Sequence, residues 1–189
     1  MRTPVRRRLE TCLSVIAATL LAACGGRHHH SDTAGSVAPP PGAGDSLPPA
    51  VVHALERARA ATARFASLDS AVAAGYQRDA GGCLAHEPLG TMGFHHPNGA
   101  LYDDRLDVER PEILVYERLP DGRYRLNGVE YIVPYSARPR DATPPRIMGQ
   151  PLKHADRLEI WYLHVWIWRE NPSGMFADWN PTVHCPAGS

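Results

Sequence analysis

The chain has 189 residues, enough for one domain once a leader is set aside, and 20 lysines and arginines balance 20 aspartates and glutamates. That balance leaves no basic face to displace counterions, so nucleic acid is excluded as a partner. Hydrophobic residues make up 43% of the chain, enough for a core, and four cysteines raise the question of export.

The first segment is not part of a fold. Arg2, Arg6, Arg7 and Arg8 form a charged start, residues 11–21 are apolar but too short to span a membrane as a mature helix, and Leu21-Ala22-Ala23-Cys24 closes the stretch with small residues. This order predicts a signal peptide over residues 1–23. Leu21-Ala22-Ala23-Cys24 followed by Gly25 also resembles the lipobox of bacterial lipoproteins. The resemblance implies acylation of Cys24 and a membrane contact made by the lipid alone. The expected location is then exported and membrane-anchored, on the periplasmic face of an outer membrane or at the cell surface. Loss of the leader takes Lys+Arg from 20 to 16 and Asp+Glu from 20 to 19, a net charge of −3.

Residues 24–47 are rich in Gly, Pro, Ala and Ser around His28-His29-His30 and carry no apolar period, which predicts a disordered tether. The domain is expected over residues 48–189. Pro48-Pro49 open an amphipathic helix whose stripe is Val51, Leu55, Ala58, Ala61, Phe65, Leu68 and Val72, with a kink near Ser67 or Asp69 and an end at Gly75. Residues 81–104 show little periodicity and read as a long loop carrying His86, His95 and His96. Residues 112–118 read as a strand, Pro120-Asp121-Gly122 as a turn, and residues 123–135 as the hairpin partner, with Asn127-Gly128 as a bulge. Residues 158–168 are almost unbroken aromatic, β-branched and leucine positions around a lone His164. They predict a central strand with a buried histidine. The expected class is α+β, a small antiparallel β-sheet covered by the N-terminal amphipathic helix, with long irregular loops.

Cys12 leaves with the leader and Cys24 takes the lipid, so Cys83 and Cys185 remain. In an exported protein a disulfide is the simplest reading of such a pair, with free thiols or metal ligation as alternatives. Seven histidines follow the tether, with Glu112, Glu117 and Glu130 on or beside strands. The set that best suits one divalent transition metal, Zn, Cu, Fe or Mn, is His95, His154, His164 and Glu130. A buried imidazole needs a partner for each ring nitrogen, and a buried carboxylate must be paired, protonated or bound to a cation. His95 and His96 are extended before Pro97 and point opposite ways, so one of them reaches the site. The competing reading is that His164 and Glu130 satisfy each other by a hydrogen bond in the core. Tyr162, Trp166 and Trp168 share His164's face in an unbroken strand and form either a pocket or plain core. No His-x-His, Cys-x-x-Cys, His-Glu-x-x-His, Gly-x-Ser-x-Gly or phosphate-cradling loop is present, and no residue is assigned a catalytic role.

Thr91-Met92-Gly93-Phe94-His95-His96-Pro97-Asn98, Arg110-Pro111-Glu112-Ile113-Leu114-Val115-Tyr116-Glu117, Gly128-Val129-Glu130-Tyr131-Ile132-Val133-Pro134 and the run from Leu163 to Pro181 resemble a group of uncharacterised exported bacterial proteins. The resemblance spans about Leu68 to Cys185. It implies export and a single domain and supplies no activity. Together these readings point to a lipid-anchored exported binding protein with a His/Glu metal site. The alternative is a non-enzymatic surface interaction or structural lipoprotein whose aromatic strand and histidines are core.

Overall fold

The apolar stripe after Pro48 forms helix α1, Pro49–Thr62, in the computed structural model, which describes residues 47–78 and 81–187. The leader, Cys24 and the tether up to residue 46 lie outside the described residues. A 3-10 turn, Ala63–Ala66, makes the kink, and helix α2, Leu68–Ala73, follows it. Gly75 takes a positive φ of 98° just past its end. The buried side of these helices is Val51, Leu55, Ala58, Thr62, Phe65, Leu68 and Ala71. Thr62 replaces Ala61 on that side because its hydroxyl donates to the Ala58 carbonyl at 2.7 Å and is satisfied inside the helix.

Six strands make one antiparallel sheet, so the fold is mixed α+β: β1 (Leu84–His86), β2 (Gly90–Pro97), β3 (Ile113–Arg118), β4 (Tyr124–Pro134), β7 (Lys153–Ala155) and β8 (Ile160–Val165). Between β4 and β7 a separate short ribbon pairs β5 (Arg146–Ile147) with β6 (Gln150–Pro151). Strand order in the main sheet is β1-β2-β3-β4-β8-β7. The expected loop over residues 81–104 therefore contains two strands. The apolar run is not central, because β3 and β4 hold the middle of the sheet and β8 lies one place from its edge. The run is also shorter than expected. A 3-10 turn at Asp156–Leu158 and a left-handed Glu159, φ 54°, precede β8, and pairing ends at Val165.

The hairpin bulge falls at Asn127: Val115 pairs with Gly128 and Tyr116 with Leu126, so β4 carries one extra residue. Glycine is required next to it. A Cβ at Gly128 would stand 2.6 Å from the Val165 carbonyl oxygen, so only a bare backbone lets β4 and β8 approach there.

The two faces of the sheet differ. One face buries Leu114, Tyr116, Val129, Tyr131, Val133, Trp161, Leu163 and Val165 in the same core as Val51, Leu55 and Ala58 of α1. The other carries a smaller apolar group, Ile113, Val115 and Ile132, with Ile160 and Tyr162 packed on it. Over this second face runs the C-terminal segment. Asn180 bridges Thr91 of β2 by two backbone bonds of 3.1 and 2.9 Å, and Trp166 donates from its backbone to Met175 at 2.9 Å and from Nε1 to Ala177 at 2.7 Å. A disulfide joins Cys83 to Cys185, 102 residues apart.

Candidate functional site

Directly opposed residues of an antiparallel sheet point to the same face. Ile113, Glu130 and His164 form one such row across β3, β4 and β8, and His95 and Val115 begin the next. Since Ile113 and Val115 belong to the smaller apolar group, His95, Glu130 and His164 all stand on that face. His95 Nε2 lies 3.7 Å from Glu130 Oε2, and the His95 and His164 ring centres are 5.8 Å apart, edge to face. The Trp166 ring closes the site from beyond β8, 4.6 Å from that of His164. His96 turns to the opposite face, where its Nδ1 meets the Gln77 carbonyl at 2.8 Å and its ring packs on Tyr116.

Burial governs the protonation of all three groups. It lowers His95 to about 4 and holds His164 well below the ordinary histidine range, and it raises Glu130 to about 8. At neutral pH the cluster is therefore two neutral imidazoles and a protonated carboxyl, and the 3.7 Å contact is neither an ion pair nor a hydrogen bond. His164 has no exposed surface, and among the described residues neither of its ring nitrogens has a hydrogen-bond partner. The expected His164–Glu130 hydrogen bond is thus not made.

Two residues named from the sequence, His154 and Trp168, lie elsewhere. His154 pairs with Trp161, and its side chain follows Trp161 to the helix-covered face, where the two ring centres are 4.1 Å apart. Its Nδ1 contacts the Tyr135 hydroxyl at 3.1 Å. The one-residue register of β7 decides this, since Lys153, not His154, is the partner of Tyr162. Trp168 also leaves the site. The chain departs from β8 after Val165, and Trp168 Nε1 donates to Thr62 Oγ1 of α1 at 3.1 Å. Tyr162 remains on the face but points its hydroxyl at Asp178, 3.2 Å away, so the three aromatic residues do not line one pocket.

Lys153 is the residue that sequence reasoning missed, and Asp178 is the carboxylate it meets. Lys153 Nζ donates to the Asp178 carboxylate and to the Phe176 carbonyl, the latter at 3.3 Å, and lies 5.4 Å from the centre of the Tyr162 ring. Asp178 raises Glu130 further and Lys153 opposes it, so the pair lies within electrostatic reach of the cluster. Alternation from His164 to Tyr162 to its neighbour on the next strand would have pointed to Lys153.

Among the described residues no three His, Cys, Asp or Glu side chains are grouped closely enough to hold a metal ion as they stand. At the His95–Glu130 contact the shortfall is small. Two donors bound to one ion at about 2.0–2.2 Å lie roughly 3–3.5 Å from each other, against 3.7 Å between His95 and Glu130.

A second polar feature, a cleft of about 760 Å³, is lined by Arg57, Asp103, Arg105, Asp107, Arg110 and Glu112 among others. Two of its arginines are paired, Arg57 with Glu109 and Arg105 with Asp103. Glu112 is buried, accepts the Ile132 backbone N–H at 3.0 Å, and is raised by burial to about 8. No protein-family model, curated protein or solved structure matches the chain.

Proposed function

We propose that this protein is an exported, lipid-anchored binding protein that takes one divalent transition metal at His95, Glu130 and His164. The observation that carries the reading is His164: a fully buried imidazole whose two nitrogens have no hydrogen-bond partner among the described residues. Leaving buried polar atoms unpaired costs about 1–3 kcal/mol each, and a metal is a partner that a nitrogen and a nearby carboxylate share. Two imidazoles and one carboxylate suit Zn, Fe, Mn or Cu(II), while the absence of sulfur disfavours Cu(I). Binding needs a closure of a few tenths of an ångström at the His95–Glu130 contact and release of the Glu130 proton to solvent as the ion takes its place. Export is supported by the Cys83–Cys185 disulfide, which an oxidising compartment maintains. Anchoring rests on the Leu21-Ala22-Ala23-Cys24 pattern.

The second reading is a non-enzymatic surface or structural module in which these histidines are core. It is favoured by the lack of a ready coordination group among the described residues. Thermal melting with and without chelator separates the two, because a ligand bound only to the native state raises its stability. A lower melting temperature in chelator supports the metal site, and identical curves support the structural module.

A further inference from the structure

The Lys153–Asp178 pair lies over the same face as the candidate ligands. Tyr162, the cross-strand partner of Lys153, is two residues from His164 on β8 and donates its hydroxyl to Asp178 Oδ2 at 3.2 Å. Asp178 Oδ1 is the acceptor of Lys153 Nζ. The residue before Asp178, Ala177, accepts the indole N–H of Trp166, whose ring packs on His164. The segment that carries Asp178 is thus pinned beside the unpartnered imidazole.

Charge decides what this arrangement can do. A divalent ion held by Glu130 and two neutral imidazoles leaves one uncompensated positive charge in a buried site, which is costly in a medium of low dielectric. Asp178 is a carboxylate already at the margin, with a side chain 22% exposed, and Lys153 is more open, at 38%. If Asp178 turned to the ion, the site would be neutral, and the freed ammonium could hydrate without crossing the core.

We propose that Asp178 is a second carboxylate of the site, held in reserve by Lys153 and Tyr162 and transferred to a divalent ion when it binds. This rests on the reading of His95, Glu130 and His164 as ligands. The exchange is one of contacts only: the Lys153–Asp178 and Tyr162–Asp178 hydrogen bonds are given up and an Asp178–metal bond forms. The resulting two-histidine, two-carboxylate set suits Zn, Mn or Fe(II). Lys153 then acts as a built-in competitor that sets how much metal is needed to fill the site.

The test is titration of the full chain with Co²⁺ and with Zn²⁺ by calorimetry, following the Co²⁺ absorption bands, on a background of His28→Ala, His29→Ala and His30→Ala that silences the tether. Asp178→Asn is expected to weaken binding roughly 10- to 100-fold and to shift the Co²⁺ bands. Lys153→Gln and Tyr162→Phe, which release Asp178, are expected to tighten binding, Lys153→Gln by about tenfold. A purely structural pair would give weaker binding or no change in both releasing variants, and that result overturns the proposal even if Asp178→Asn folds poorly. Binding that is lost in His164→Gln but unchanged in Asp178→Asn and Lys153→Gln overturns the reserve carboxylate and leaves the three-ligand site standing. A wild-type chain that takes up neither ion removes both.

Discussion

Glu130 on β4 is the direct cross-strand neighbour of His164 on β8, yet neither ring nitrogen of His164 has a hydrogen-bond partner among the described residues. Opposed polar residues in a sheet core ordinarily satisfy each other. Here the carboxyl turns instead to His95, which it approaches without bonding, at 3.7 Å.

Replacing His164 with an apolar residue separates a ligand from a core residue. His164→Leu removes two unpaired buried nitrogens without opening a large cavity. In chelator the variant is expected to melt above the wild type, by about 1–3 kcal/mol in stability for each nitrogen relieved. With added Zn²⁺ the order reverses, because only the wild type gains ligand stabilisation. A variant less stable in both conditions would show that His164 is satisfied where it stands.

His154 provides the matched control. It lies on the helix-covered face against Trp161. His154→Ala is expected to leave metal affinity within a factor of two or three, whereas His95→Ala loses at least tenfold, on the scale of altered ligation. Equal losses in calorimetry would mean that the β7 register is different in solution.

Glu112 gives a dependence on pH that does not involve the metal. Its folded carboxyl is raised to about 8 by burial, from an ordinary value of 4.5. Between those values the unfolded chain has released the proton and the folded chain keeps it, so stability falls as pH rises from about 4.5 to 8 and the loss is complete above that. The slope is at most about 1.4 kcal/mol per pH unit. Glu112→Gln keeps an oxygen for the Ile132 N–H and cannot ionise. Urea midpoints in chelator should coincide with wild type near pH 4.5 and exceed it at pH 8.5; parallel profiles would place the titrating group elsewhere.

Gly128 tests the approach of β4 to β8. A methyl group at this position meets the Val165 carbonyl oxygen at 2.6 Å. Overpacking of this kind costs about 1–3 kcal/mol. Gly128→Ala should therefore lower the denaturation midpoint and, by displacing Glu130 and His164, weaken metal binding as well. A variant of wild-type stability would contradict the close approach.

The disulfide closes a loop spanning 102 residues of sequence separation and ties the segment after Asn180 to the start of β1. In the chain-entropy account such a loop contributes about 4–5 kcal/mol. Cys83→Ser with Cys185→Ser is expected to lower the melting temperature of the chelated protein by more than Gly128→Ala does.

What could be read from the sequence followed from strong local patterns. The hairpin, its Asn127 bulge and the kinked helical region rest on turn residues and on apolar spacing, which act within a few residues. Strand β2 was hidden because Gly90, Gly93 and Pro97 interrupt any period. It exists because β3 supplies its hydrogen bonds on one side, and Gly93 lets its backbone pass the Tyr116 carbonyl, where a Cβ would come within 2.5 Å. His95, Glu130 and His164 were legible as polar residues in apolar company. The choice between His154 and Lys153 was not, since it turns on the register of a three-residue strand. Trp168 was misplaced because an unbroken aromatic run gives no sign that pairing stops at Val165.

The most direct measurement is the metal content of the full chain, produced in an oxidising compartment, purified without an affinity tag and with His28, His29 and His30 changed to alanine. One equivalent of a single transition metal, absent from His164→Gln and from His95→Ala but retained in His154→Ala, is the expected result. A stable, folded, metal-free protein that takes up no Zn²⁺, Mn²⁺, Fe²⁺ or Cu²⁺ on addition would contradict it, and would make the three residues part of the core.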